Sequence, residues 1–504
     1  MSQGANRFWL RPPLMLGRGL VRLAAAAGRG WRAAPADRRG PLLVLAAGTA
    51  VLLAVVPYGP PAGGLLLLAA ALAAGWRDRT GPPGVRPPAE GDEERLQTLY
   101  ESLVPYFAPP GPPAGGEPPP EAMYLLGGGW ERGIEEYAFG LDDRLARLLI
   151  RYPGHFPDGD PQARDRVERL LAAKTGGDRE LRFRWDEERN RLEMTVPGPL
   201  PAGICAQRFI MAPGELVLGF TDTEAVDRLV PVAADGEAEP VHAAPVVWRT
   251  GPRSPAPHLL AVGPSGSGTT SLLRSVTLQA LRDGEVLLID GGGAGEFGCF
   301  TGRRGVLSVE SSPSGARAAL EWAARETGRR LLEVSRARQA GGPQRAVRPL
   351  WIVLDRPSLL GHPARPDGSP GAQQLLEVPL RYGRAARVTV AVAEDCAAWE
   401  ELSEAVRTAP GARVVLGSMP AAEIRFVLDG PLPSAPPPVL PPGRGYARLG
   451  PDRAVRLQVP ATPDPQDDTA SETQRRAVRA LLPEPVLSLD RRSPAPETTG
   501  IDPS

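Results

Sequence analysis

Lysine is almost absent from this chain. Of 58 Lys and Arg residues, only Lys174 is a lysine. The accompanying wealth of Arg, Ala, Gly and Pro looks like a GC-rich coding bias, which exchanges Lys for Arg rather than for Thr. Cysteine is scarce too. Cys205, Cys299 and Cys396 are far apart and form no C-x-x-C pair, so they read as small buried thiols in a reduced setting, not as a disulfide frame. His155, His242, His258 and His362 are scattered, and no H-E-x-x-H, metal-spaced Cys/His set or nucleophile elbow appears. Aromatic residues make up 5% of the chain, which leaves no platform for stacking bases. A formal net charge of zero provides no global basic field, so any nucleic-acid surface has to be local.

Charge is also missing locally. From Pro41 to Trp76 there is no charged residue, and Pro57-Tyr58-Gly59-Pro60-Pro61 interrupts the run. Each half falls short of the roughly 20 residues of a full span. The reading is a tight hairpin of two short transmembrane helices at 41–76. Its alternative is a buried hairpin in a soluble core. A signal peptide is disfavoured by the long basic n-region and the lack of a small-residue cleavage site. Arg7, Arg11, Arg18, Arg22, Arg29, Arg32, Arg38 and Arg39 precede the run, and Arg77, Arg79 and Arg86 follow it. The positive-inside rule then predicts a cell-membrane protein with both termini cytoplasmic. Within the basic segment 1–40, residues 8–31 are expected either to lie along the membrane surface or to form a disordered basic tail.

Residues 77–120 read as Pro/Gly linkers around a short helix, Asp92–Val104, stopped by Pro105. A small α+β module is expected at 121–244. Its helices are Ile134–Ile150, with Leu141, Leu145, Leu148 and Leu149 as the apolar face, and Gln162–Ala173. Leu181–Trp185 and Leu192–Val196 alternate as a hairpin. Glu135-Glu136 and Asp142-Asp143 read as solvated charge. From about 245 to 430, within a domain taken as 245–460, strands and helices alternate, which argues for a parallel α/β sheet. Its strands are Leu259–Val262, Val286–Ile289, Leu350–Leu354, Val388–Val392 and Arg413–Leu416, with Tyr446–Leu449 and Ala454–Val459 as edge strands. The segment 461–504 reads as a polar, largely disordered tail with a helix at Ser471–Leu482.

The chemistry sits in Gly263-Pro264-Ser265-Gly266-Ser267-Gly268-Thr269-Thr270-Ser271. An apolar run, Leu259–Val262, leads in, and a helical pattern follows. The spacing is that of a phosphate-binding loop, G-x-x-x-x-G-K-[ST], whose backbone N–H groups cradle phosphates. Its lysine neutralises phosphate charge and its hydroxyl holds Mg²⁺. Here Thr269 stands at the lysine position and Thr270 supplies the hydroxyl. The run Leu350–Leu354 ending in Asp355 supplies the second Mg²⁺ ligand expected of such a site. Where RecA-like motors carry a water-polarising glutamate stands Arg356, which accepts no proton near neutral pH. The nucleotide-binding set is therefore Gly263, Ser265, Gly266, Ser267, Gly268, Thr269, Thr270 and Ser271, with Thr270 and Asp355 for Mg²⁺ if ATP binds, and no catalytic residue is assigned.

On these residues the chain resembles the FtsK/SpoIIIE family of membrane-anchored DNA-pumping ATPases and their relatives in actinobacterial conjugation and type VII secretion. Pro257-His258-Leu259-Leu260, Glu285–Asp290 with its three glycines, Gly383-Arg384-Ala385-Ala386 before Val388–Val392, residues 413–429 and Gly443-Arg444-Gly445 carry the likeness. The resemblance implies a RecA-like P-loop fold, a MgATP cofactor, a ring with itself or with an FtsK-like homologue, and DNA among its cargoes. Glu394-Asp395 occupy the place of the family's Thr-Gln γ-phosphate sensor, which puts acids where a phosphate would sit. The expectation is a nucleotide-binding assembly or regulatory partner that does not hydrolyse ATP. The alternative is an active DNA or protein translocase.

Overall fold

The computed structural model describes residues 86, 89–108, 123–223, 228–237, 239–341, 347–361 and 370–486. The basic N-terminal segment, the 41–76 hairpin and most of the 77–120 linker lie outside them. Among the described residues, no helix is long and apolar enough to cross a membrane.

A small layer comes first. Helix α1 (Asp92–Phe107) buries Leu96, Leu99, Leu103 and Phe107. It runs through Pro105 rather than stopping there: the missing N–H forfeits the bond to the Glu101 carbonyl, and burial of Leu103, Val104 and Phe107 around it offsets that loss. Strands β1 (Ile134–Phe139) and β2 (Leu145–Arg151) pair antiparallel, where the leucine spacing predicts one helix. Turn chemistry overrides that spacing. The Gly140 N–H donates to the Arg144 carbonyl at 2.8 Å, and Asp143 takes φ 62°. Leu141, expected on the apolar face, is exposed at the turn, while Leu148 and Ile150 are buried. Helix α2 (Pro161–Thr175) starts on Asp160, whose carboxylate accepts from the Gln162 N–H. Strands β3 (Arg182–Asp186) and β4 (Arg191–Thr195) complete a four-stranded sheet in the order β1-β2-β4-β3.

The large sheet holds eleven strands. These are β5 (Glu215–Thr221), β6 (Val230–Val232), β7 (Val241–Arg249), β8 (Leu259–Gly263), β9 (Glu285–Asp290), β10 (Val306–Glu310), β11 (Leu350–Asp355), β12 (Val388–Asp395), β13 (Ala412–Leu416), β14 (Arg444–Leu449) and β15 (Val455–Gln458). Their order is β10-β9-β11-β12-β8-β13-β14-β15-β5-β7-β6. Pairing is parallel from β10 to β13 and antiparallel beyond. β14 and β15 are therefore interior strands, not edges, because β5, β7 and β6 extend the sheet past them. The boundary expected at 244/245 cuts through β7.

The parallel strands are continuous apolar runs because both faces are covered. Leu259, Ala261, Val286, Leu288, Trp351 and Val353 pack on one face with α3 (Thr269–Ala280). Leu260, Val262, Leu287, Ile289, Ile352 and Leu354 pack on the other. There they meet α4 (Pro313–Gln339) and α5 (Glu377–Ala386), with α6 (Glu404–Thr408) and α7 (Ala421–Leu428) on the same side. Gly383 in α5 is bare for a reason: a Cβ there would lie 2.4 Å from the Val388 carbonyl oxygen and 3.0 Å from His258 Cε1.

The tail is ordered further than its composition suggests. Helix α8 (Glu472–Leu481) inserts Val478 into the core beside α3. The Val486 N–H donates to the Gly302 carbonyl at 2.8 Å. Val478, with Leu481 and Leu482 packed beside it, and main-chain pairing hold residues 461–486 in place, and the remainder of the expected tail lies outside the described residues.

Candidate phosphate-binding site

The site forms where β8 ends and α3 begins. Gly266 and Gly268 take φ values of 78° and 101°, which folds Pro264–Gly268 back around the helix start. A side chain at Gly268 would also meet the Gly443 backbone at 3.0 Å. That close approach lets the Gly443 N–H donate to the Ser267 carbonyl at 2.7 Å and brace the loop. The Leu272 N–H donates to the Gly268 carbonyl and closes the first helical turn. The N–H groups of Thr269, Thr270 and Ser271 are left without intrahelical partners, at the positive end of the helix dipole. Ser267 is buried, and its hydroxyl faces Gly263.

Asp355 arrives from β11, which is not the neighbour of β8. Strand β12 lies between them, with Asp355 level with Ala393 and Ala393 level with Ala261. Even so, the Thr270 hydroxyl donates to Asp355 Oδ2 at 2.8 Å. The two hard oxygen ligands are thereby brought together across an intervening strand. Burial pushes the Asp355 carboxyl up to about 6, opposed by the Thr270 hydrogen bond and by the charge of Arg356.

A cavity of about 280 Å³ opens over this pair. Gly263, Ser265, Gly266, Gly268, Thr269, Thr270 and Ser271 line one side, and Glu296, Asp355, Arg356, Glu394 and Asp395 line the other. The acids are committed. Glu394 accepts from the Ser358 and Asp395 N–H groups, both at 2.9 Å. Asp395 accepts from the Ala397 N–H at 3.0 Å. Glu296 is paired with the buried Arg274. The expectation that Glu394-Asp395 confront a phosphate is thus modified. Both border the cavity, but their oxygens hold the turns that follow β11 and β12. Burial raises the Glu394 carboxyl above its ordinary range.

The residues fit part of a MgATP site. The free N–H groups suit phosphate oxygens. A hydroxyl beside a carboxylate suits Mg²⁺, which takes few protein ligands and completes its shell with phosphate and water. Among the described residues no cluster of three or more His, Cys, Asp or Glu could hold a metal unaided. No ammonium faces the loop, because Thr269 stands there. Sequence reasoning overlooked Arg356 as a cation of this cavity. Two other arginines of the domain are engaged elsewhere: Arg274 on Glu296 and Arg303 on the Pro483 carbonyl. The signal was available: Arg356 follows directly on Asp355, the residue assigned to Mg²⁺.

A larger cavity of about 440 Å³ lies at the far end of α3, among Phe209, Gln279, Arg282 and Pro483. It holds no phosphate-binding loop.

No protein-family model matches the chain, and no curated protein matches it. Solved structures do. The cytoplasmic domain of the Thermomonospora curvata type VII secretion ATPase EccC is 22% identical over 57% of this chain, with a TM-score of 0.39, and the chain covers 34% of it. The pCW3 conjugation coupling protein TcpA, in its monomer form with ATPγS, is 12% identical over 77% of this chain and 99% of its own, with a TM-score of 0.41. EssC (ATPases 2 and 3) from Geobacillus thermodenitrificans is 13% identical over 59% of this chain and 56% of its own, with a TM-score of 0.43. The chain therefore spans about a third of the EccC domain and about half of the EssC fragment. This is a P-loop ATPase-like fold. That statement rests on the parallel sheet, the loop at the end of β8 and the Thr270–Asp355 pair, not on likenesses this distant.

Proposed function

We propose that this chain is a membrane-anchored, FtsK/SpoIIIE-like P-loop protein. It binds MgATP, does not turn it over, and serves as an assembly or regulatory partner in a ring with itself or with an active homologue. One observation carries the reading. The Thr270–Asp355 pair at 2.8 Å keeps the Mg²⁺-binding half of the site intact, while the residues beside each member, Thr269 and Arg356, are the wrong ones for turnover.

Phosphoryl transfer to water needs positioned positive charge and an oriented nucleophile. Arg356 cannot act as a base. Glu296, Glu394 and Asp395 each already accept from Arg274 or from backbone N–H groups, and none of them stands at the position next to Asp355 where the water-polarising glutamate is expected. Loss of one such group costs on the order of 10² to 10³ in rate. These losses do not add where residues act as a unit, but one of them suffices.

The second reading, an active translocase of DNA or protein, is favoured by a single fact: the cavity does contain a cation, Arg356. The test is ATP turnover by the purified full-length chain, with duplex DNA binding measured beside it. The expected result is saturable ATP binding and hydrolysis at background. Turnover above background that Asp355→Ala abolishes would overturn the proposal in favour of the translocase.

A further inference from the structure

The cavity contains one charged group with no structural task. Glu296, Asp355, Glu394 and Asp395 each have a hydrogen-bond partner. Arg356 has none for its guanidinium: among the described residues its hydrogen bonds are made by its backbone N–H, to the Ala393 carbonyl at 2.8 Å, and by its backbone carbonyl, from Leu359. It borders the same cavity as Thr269 and Thr270. A guanidinium surrounded by carboxylates would normally pair with one of them, since bidentate Arg–carboxylate bonds are among the strong ones. Here the acids are held by other groups and Arg356 is left over.

The backbone is shaped to present it. Arg356 takes φ 52° and ψ 61°, a left-handed conformation uncommon outside glycine and asparagine. The turn that follows β9 packs closely against the Arg356 backbone. A Cβ at Gly291 would fall 2.2 Å from the Arg356 carbonyl oxygen. One at Gly292 would lie 3.6 Å from Arg356 Cδ and 3.8 Å from its Nη1. Gly291 thus permits the close approach of the Arg356 backbone, and the side chain passes Gly292 at ordinary van der Waals distance, on the border of the cavity that Thr270 and Asp355 also line.

We propose that Arg356 is the phosphate-binding cation of this site, moved from the loop to the end of β11. Thr269 and Arg356 are then one change rather than two defects. The ammonium is gone from the helix start, and a guanidinium reaches the same phosphates from the opposite wall. The relocation puts a permanent cation where a base would stand, so it restores binding and forbids hydrolysis together. The ligand class is a nucleoside polyphosphate with its divalent cation. This inference rests on the nucleotide-binding reading above.

The test is equilibrium binding of MgATP to the full-length chain at fixed ionic strength, with thermal melting of each variant as a folding check. Arg356→Gln should weaken binding about tenfold to a hundredfold, the effect of losing a charge-assisted hydrogen bond. Arg356→Lys should stay within about threefold of wild type, because it keeps the charge. Adding Thr269→Lys to Arg356→Gln should restore affinity, since a cation returns to the original wall. Unchanged binding by Arg356→Gln would overturn the inference. So would a loss that Thr269→Lys fails to rescue, because Arg356 would then act on the fold. A wild-type chain that binds no MgATP would instead overturn the nucleotide reading itself, and the two failures are distinct.

Discussion

Thr269→Lys places an ammonium at the first residue of α3, half-buried on the wall of the 280 Å³ cavity. In the free protein two effects oppose each other. A cation at a helix N-terminus meets the positive end of the dipole and costs about 0.3–1 kcal/mol. The carboxylates of Asp355, Glu394 and Asp395 across the cavity offset much of that. The melting temperature should therefore change little. In the nucleotide complex the ammonium gains a contact to a charged phosphate, about 1.5–3 kcal/mol for a hydrogen bond of that kind. That is roughly a tenfold to hundredfold tighter Kd. The dipole penalty is present with and without ligand, so it does not reduce this ratio. Calorimetric titration of MgATP reads the change directly, and ligand-dependent melting reads it again. A ligand at a hundred times its Kd should add about 2.7 kcal/mol of stability. Turnover should stay at background, because Arg356 still stands where the base would be, and only further change at Arg356 could alter that. A Thr269→Lys protein that melts normally yet binds MgATP no more tightly than wild type would refute the claim that this helix start faces phosphates.

Three further outcomes follow from the same structure. His258 is buried, its Nδ1 accepts from the Val390 N–H at 3.0 Å, and burial holds its imidazole down at about 4, partly opposed by the Leu380 carbonyl. The unfolded chain, with the ordinary value near 6.5, takes up the proton first. Stability should therefore be full above about pH 6.5 and fall by about 2 kcal/mol by pH 5. His258→Gln should flatten that slope in urea titrations, and an unchanged slope would sink the assignment. Arg456 is buried between the two sheets, with Nη2 2.8 Å from Glu180 and Nη1 2.8 Å from the Gly198 carbonyl and 3.3 Å from Asp222. Arg456→Ala leaves the buried Glu180 with only the Ser434 and Tyr446 hydroxyls, while Asp222 keeps Arg182, and should cost about 3 kcal/mol; a loss under about 1 kcal/mol in denaturant melts would refute it. Finally, the arginine flanks of the 41–76 run predict that reporters fused at Gly4 and at Ser504 both read as cytoplasmic, and an extracytoplasmic signal from either end would remove the hairpin topology.

The parallel strands were legible because each is a local apolar run covered on two faces, and such runs keep their character wherever they pair. The glycine spacing of 263–268 was legible for a similar reason: positive φ values are a property of single residues. The 134–151 segment misled because leucines at 145, 148 and 149 suit a helix face. Gly140 and Asp143, which decide for a hairpin, carry their signal in turn geometry rather than in periodicity. Val478 alone could not announce that the polar tail packs, since its partners come from α3 and the sheet.

What the sequence determined by itself was therefore the inventory of the site: a loop with threonine for lysine, an Asp-ended strand, an arginine after it. What only the tertiary structure decided was which of these groups are occupied. Thr270 meets Asp355 across β12 because register aligns three strand ends. Glu394 also accepts from the Ser358 N–H, 36 residues away, which comes within reach only once β11 and β12 have paired, whereas Asp395 caps its own local turn at Ala397. A carboxylate's partner is set by distance in space, and distance in space is what a linear pattern does not contain.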